Sequence, residues 1–353
     1  MSWEENVRKV VPYVPGEQPK RRDIIKLNTN ENPYPPAPGV VKMLGEIKPE
    51  EYSLYPDPDA SILRQALADY HCLKKEQVFV GVGSDDVLAM AFLTFFNSKK
   101  PILFPDITYS FYDVWADLYR IPYETKALNE DFSINPEDYT GENGGVIFPN
   151  PNAPTGVLET LKVVESIVKA NPDVIVIVDE AYIDFGGESA LPLLATYDNL
   201  LIVRTFSKSR SMAGMRIGYA MGNEKLISYL NDAKFSFNSY TMNLPSLRAG
   251  VASVEDDEYF REKVEQVIAT REWTKAELNR LGFSFADSMS NFIFAAHESI
   301  PAQELFAALK EEGIYVRYFK KPRIDNYLRI SIGTQDEMQK LIAFLEQYIK
   351  DRK

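Results

Sequence analysis

The chain has 353 residues, length for about two domains, and its 45% apolar and 25% charged composition excludes wholesale disorder. Its 39 basic side chains stand against 51 acidic ones, a net charge of −12, which argues against the basic footprint of non-specific nucleic-acid binding. One cysteine, Cys72, and two histidines, His71 and His297, leave nothing for an internal disulfide and little for a metal cluster, so no metal is expected.

Residues 1–10 carry no apolar signal-peptide core, and apolar runs such as Val174–Val178 are too short to span a bilayer. A cytoplasmic protein is expected. Pro12, Pro15, Pro19, Pro33, Pro35, Pro36 and Pro38 forbid a continuous helix in the first forty residues. Val10, Val11, Tyr13, Val14, Ile24, Ile25 and Leu27 are too apolar there for a solvated tail, so the segment reads as an extended arm packed on this subunit or a partner.

From residue 45 to 245, short apolar runs alternate with helical patterns. Val78–Val82, Pro101–Phe104, Val146–Phe148, Val174–Val178, Leu200–Val203 and Ile217–Met221 read as strands. Five successive aliphatic residues at Val174–Val178 fit a strand covered on both faces of a parallel sheet. After residue 245 a long helical stretch leads into strands at Asn291–Ala296, Ile314–Phe319 and Tyr327–Ile332, with a helix over Leu305–Leu309. A last helix follows Thr334 and Glu337, which form a capping box. The expected organisation is an arm with a small-domain contribution (1–44), a large α/β domain (45–245) and a smaller α+β domain (246–353). His71 and Cys72 read as structural positions on a helix, Phe111, Tyr112 and Trp115 as core, and the run Glu255–Glu258 as a solvated helix face.

Ligands of open α/β sheets bind beyond the carboxyl ends of the strands. Four polar groups follow apolar runs there. Asp179 ends Val174–Val178, with Tyr182 three residues on. Thr205, Ser207 and Lys208 follow Leu200–Val203, with Arg216 eight residues later. Gly83, Ser84 and Asp85 sit between a strand and a helix, where free backbone N–H groups favour an anion. Asn150-Pro151-Asn152-Ala153-Pro154-Thr155-Gly156 forms a rigid turn, with a cis bond expected before Pro151 or Pro154. Each feature alone has a bland explanation, as a cap, a surface lysine or an ordinary turn. Together they describe pyridoxal 5′-phosphate, which takes a Schiff-base lysine, an aspartate at its ring nitrogen and a phosphate cradle.

These motifs, with Leu27–Pro33, Tyr55-Pro56-Asp57, Pro105–Tyr109 and Leu328–Gly333, resemble the class I/II pyridoxal-phosphate-dependent aminotransferases of fold type I. The resemblance runs from Val11 to Gly333. It implies a large domain with a mostly parallel sheet flanked by helices, plus a smaller α+β domain. Lys208 would carry the cofactor, Asp179 would hold its ring nitrogen, and Tyr182 and Asn152 its ring oxygen. Tyr109 would stack on the ring. Backbone amides at Ser84 and Asp85, with Thr205, Ser207 and Arg216, would hold the phosphate, the Asp85 side chain pointing away. Tyr55 would reach the phosphate in the neighbouring subunit of a homodimer. Where relatives often carry a second asparagine, this chain has Ala153, which puts a supporting hydrogen bond of the turn in question.

Period two along Tyr327–Ile332 and Ile314–Phe319 sets Arg329 and Arg317 opposite the aliphatic faces of their strands. The resemblance makes them substrate-reading residues, with Tyr13, Tyr55 and Asn152. Within the family, the branch that transaminates L-histidinol phosphate with 2-oxoglutarate matches best. An aromatic amino acid aminotransferase and a phosphothreonine-type decarboxylase stay open as alternatives.

Overall fold

The computed structural model describes residues 2–14, 16–19 and 23–352. Pro15, one of the prolines expected to keep the arm extended, lies outside them. Among the described residues the arm has one short 3-10 turn, Trp3–Asn6, and the first α-helix is Pro38–Glu46. Val10, Val11 and Val14 are exposed on the single chain, whereas Tyr13 stacks on Phe111 at 4.2 Å between ring centroids. Further along, β1 (Ile25–Lys26) pairs in parallel with β11 (Ile314–Tyr315), and Leu27 joins the core around the C-terminal strands.

Seven strands form the main sheet: β2 (Val78–Gly81), β3 (Ile102–Pro105), β4 (Tyr123–Lys126), β5 (Val146–Pro149), β6 (Val176–Asp179), β7 (Leu200–Thr205) and β8 (Gly218–Gly222). Their order is β2-β8-β7-β6-β5-β3-β4, and β8 alone runs against the rest. Side chains alternate between two cores. Val146, Phe148, Val176, Val178, Leu200 and Ile202 face one; Ile147, Ile177, Leu201 and Val203 face the other. Both faces are buried, which is why these strands read as unbroken aliphatic runs. The sequence reading missed β4 because Tyr-Glu-Thr-Lys is a polar edge strand, held by its ladder to β3 rather than by burial.

The C-terminal part carries β9 (Phe283–Phe285), β10 (Phe292–His297), β12 (Arg317–Tyr318) and β13 (Leu328–Ser331) in an antiparallel sheet of order β12-β13-β10-β9. The expected strand Ile314–Phe319 breaks at Val316, so β11 pairs with β1 and β12 with β13. The helices Asp257–Arg280, Ala302–Glu311 and Gln335–Lys350 belong to this part, the last with the capping box of Thr334 and Glu337.

Two local expectations need correction. The helix Ser61–Tyr70 ends before His71, and Cys72 lies beyond it with φ 56°. The run Glu255–Glu258 is a helix–helix junction rather than one face: Leu244–Glu255 ends there, Asp256 bridges, and Asp257 opens the next helix, whose N-terminus favours acidic side chains. No helix among the described residues is long and apolar enough to cross a membrane.

β8 starts directly beneath the helix Ser84–Phe95. A Cβ at Gly218 would lie 2.2 Å from the Gly83 carbonyl carbon and 2.3 Å from the Ser84 nitrogen, both backbone atoms. Gly218→Ala should therefore lower stability by roughly 1–3 kcal/mol, measured as a reduced urea midpoint. An unchanged midpoint would contradict this packing.

Candidate active site

The carboxyl ends of β2, β5, β6 and β7 open on one cavity of about 180 Å³. The β6 terminus supplies Asp179, which is 5% exposed. Tyr112 Oη donates to its Oδ2 at 3.0 Å and the Ala181 N–H to its Oδ1 at 3.2 Å. Both donors are neutral, and the Asp85 and Glu180 charges also push its pKa up. Desolvation dominates and pushes the Asp179 carboxyl up to about 7. Tyr112 sits in the core as the sequence suggested, yet its hydroxyl belongs to the site. A lone aromatic in a helical pattern gives no sign of where its hydroxyl points.

Gly83 (φ 84°) turns the chain into the helix Ser84–Phe95. Ser84, Asp85, Thr205, Ser207 and Arg216 converge at its N-terminus. Thr205 Oγ1 lies 3.0 Å from Ser207 Oγ, and Arg216 Nη1 donates to Ser207 Oγ at 3.3 Å. The Asp85 carboxylate does not point away. It accepts from Tyr109 Oη at 2.7 Å and pairs with Arg216 at 3.3 Å. The Arg216 guanidinium offsets its charge, so the carboxylate joins the two sides of the cradle instead of leaving it.

Lys208 follows β7, and its Nζ donates to the Thr29 carbonyl at 3.2 Å. The Leu27–Pro33 segment wraps this region. Asn32 Nδ2 donates to the Lys208 and Ser209 carbonyls at 3.0 and 3.2 Å, and Asn30 Nδ2 to Tyr182 Oη at 3.0 Å. These asparagines lie in the Leu27–Pro33 motif, where the resemblance assigns them no role. Their alternation at 28, 30 and 32 is the available signal.

Asn152 departs from its expected place. Its Nδ2 donates to the Ile107 carbonyl at 3.0 Å and Thr155 Oγ1 at 2.9 Å, so neither amide hydrogen is left for a ring oxygen. Its buried Oδ1 has no partner, and Ala153 lines the cavity in its stead. Asn152 fixes the turn; the bonds preceding Pro151 and Pro154 are both cis.

Arg317 and Arg329 are register partners on β12 and β13. Like charges directly opposite each other destabilise a sheet. Neither has a carboxylate partner among the described residues. Arg329 Nη2 donates to the Asn28 carbonyl at 3.1 Å, its Nε is buried and unpartnered, and burial lowers its pKa. Arg317 and Tyr13 line a neighbouring groove of about 570 Å³, along with Pro154 and Thr108. Tyr55 stands outside both, 82% exposed against Tyr240.

The donor set fits pyridoxal phosphate. A buried carboxylate without an ion-pair partner among the described residues suits a protonated ring nitrogen. Hydroxyls, a guanidinium and a helix N-terminus suit a phosphate. An amine stands between them.

Residues 22–345 match the family model for aminotransferases of class I and II. The chain is 51% identical over 352 residues to the histidinol-phosphate aminotransferase of Lactococcus lactis subsp. cremoris (strain MG1363), covering 100% of this chain and 99% of that one. It is 49% identical to that of Clostridium botulinum (strain Langeland), covering 98% of each. Its fold superimposes with TM-score 0.85 on histidinol-phosphate aminotransferase from Sinorhizobium meliloti in complex with pyridoxal-5′-phosphate, at 22% identity and covering 94% and 93% of the two chains. The chain belongs to the class I and II aminotransferases, a pyridoxal-phosphate-dependent family.

Asp179 keeps its proton in the folded chain up to about pH 7, while an unfolded aspartate loses it near 3.8. Its share of stability is therefore present at low pH and lost as pH rises through that window. The melting temperature of cofactor-free Asp179→Asn protein, relative to wild type, should rise progressively between about pH 4 and pH 7 and level off above. A constant difference would contradict the burial argument.

Proposed function

We infer that the protein moves an amino group between L-histidinol phosphate and 2-oxoglutarate, giving imidazole-acetol phosphate and L-glutamate, a step of L-histidine biosynthesis. The adjacent arginines carry this reading from the structure. A pair of guanidiniums without carboxylate partners suits a pocket that must take a phosphate in one half-reaction and a carboxylate in the other. Full-length identity near 50% to named histidinol-phosphate aminotransferases supports it independently.

The cofactor, when bound, supplies an electrophilic carbon for amines and an electron-poor ring that stabilises charge beside it. Lys208 Nζ would hold it, and as a free amine would move the proton from substrate Cα. Asp179 would keep a proton on the ring nitrogen. Tyr182 would donate to the ring oxygen, and Tyr109 would cover the ring face. Thr205, Ser207, Arg216 and the amides of Ser84 and Asp85 hold the phosphate. Arg329 and Arg317 grip the substrate anion, and Tyr13 closes over it from the arm. With a net charge of −12 the protein repels anionic substrates at long range, so these arginines also supply the local positive field.

The active unit is read as a homodimer in which Tyr55 reaches the neighbour's cofactor phosphate. Exposed Leu54, Tyr55, Phe237 and Tyr240 support that face. The division into an arm (1–44), a cofactor domain (45–245) and a small domain (246–353) belongs to the same reading. The exposed free Cys72 thiol fits the reducing cytoplasm.

L-Histidinol phosphate alone should discharge the visible absorption band of the cofactor-loaded enzyme, and 2-oxoglutarate should restore it. Carbon dioxide release without glutamate formation would instead mark a decarboxylase. A band discharged by phenylalanine or tyrosine but not by histidinol phosphate would mark an aromatic aminotransferase. Lys208→Ala should abolish turnover while keeping the fold by circular dichroism. Arg329→Lys should raise KM for both substrates roughly 10- to 100-fold, the loss of a charge-assisted fork; an unchanged KM would remove Arg329 from the substrate site.

A further inference from the structure

The Tyr182 phenol has one proton to donate. Asn30 Nδ2 already donates to its oxygen at 3.0 Å, so that partner cannot take the proton, and no acceptor among the described residues takes it. The proton is left for the cavity. Ser331 keeps the amide the right way round. Its Oγ accepts from the Asn30 backbone N–H at 2.9 Å and donates to Asn30 Oδ1 at 2.8 Å. With Oδ1 engaged, Nδ2 has to face Tyr182. Asn291 Nδ2 fixes the backbone by donating to the Asn30 carbonyl at 3.0 Å. Asn30 is 1% exposed and Ser331 2%, so water does not compete. The Asn30 φ of 56° is one that asparagine tolerates better than most residues. Opposite, Ala153 lines the cavity and Asn152 has both amide hydrogens engaged, so of the two side chains expected at the ring oxygen only Tyr182 has a hydrogen to give.

We propose that Asn30 is a positioning residue: by donating to Tyr182 Oη it aims the Tyr182 hydroxyl proton at the ring oxygen of the bound cofactor, in a direction set by Ser331 on β13. The inference rests on the reading of Tyr182 given above. A hydrogen bond donated to the ring oxygen favours the form with more negative charge there, the form that has lost the proton shared with the Lys208 nitrogen. Asn30 thus holds down the pH at which the visible band changes colour.

The test is a pH titration of that band in purified holoenzyme. Asn30→Asp presents only acceptors and draws the Tyr182 proton away from the ring. Tyr182→Phe and Asn30→Asp should each raise the midpoint by about one pH unit. The double variant should rise no further than Tyr182→Phe alone. Ser331→Ala frees the amide to turn and should raise the midpoint by less. An unchanged midpoint in Asn30→Asp, with Tyr182→Phe shifted, overturns the proposal. So does a further rise in the double variant, because the new charge is then acting directly. An unchanged midpoint in Tyr182→Phe strikes the Tyr182 reading itself and takes the proposal with it. Should Asn30→Asp fail to fold, Ser331→Ala decides: a shift that vanishes in the Tyr182→Phe background supports the proposal, and no shift or a persistent one overturns it.

Discussion

A buried carboxylate with no ion-pair partner among the described residues is the constraint on which this structure turns. Asp179 ends the central strand β6, beneath the cavity, and among the described residues its carboxylate receives only a phenol and a backbone amide. Burying a charge this way is unfavourable unless a partner arrives. The neighbouring parts of the cavity are arranged for that partner: a lysine on β7's exit loop, a helix N-terminus after β2, and hydroxyls and a guanidinium between them. All stand at one sheet edge because every strand but β8 runs the same way. Parallel topology gathers the chemistry, and burial of both sheet faces holds it still.

The second organising feature is the segment Asn28–Asn32. It is stitched to the C-terminal part through β1 and β11, through the Ser331 N–H donating to the Leu27 carbonyl, and through Arg329 on the Asn28 carbonyl. From there Thr29, Asn30 and Asn32 reach Lys208 and Tyr182 on the large sheet. One short stretch therefore connects the strand that carries Arg329 to the residues that would hold the cofactor. The paired arginines are unfavourable to each other across β12 and β13, and a bound anion would relieve their repulsion.

Much of this was legible in the sequence, for physical reasons. Doubly buried strands leave aliphatic runs, so β5, β6 and β7 showed themselves within two residues, and the polar residues that end such runs pointed to the site. β4 did not, because an exposed edge strand needs no apolar pattern. The break at Val316 was hidden because a strand that changes sheets keeps its period-two pattern through the crossing. Asp85 and Asn152 were misjudged at the level of side-chain direction: the resemblance supplied a role, but hydrogen bonding to Tyr109, Arg216, Ile107 and Thr155 decides where those groups point. Tyr112 and Asn30 were overlooked because their partners lie 67 and 152 residues away.

The most direct test of the central claim is the ring-nitrogen shift of the cofactor in 15N NMR, with labelled pyridoxal phosphate bound to the wild-type chain. Asp179 should keep that nitrogen protonated at neutral and mildly alkaline pH, and Asp179→Asn should leave it unprotonated under the same conditions. A wild-type ring nitrogen that is unprotonated at neutral pH, or one indifferent to Asp179→Asn, would contradict the account.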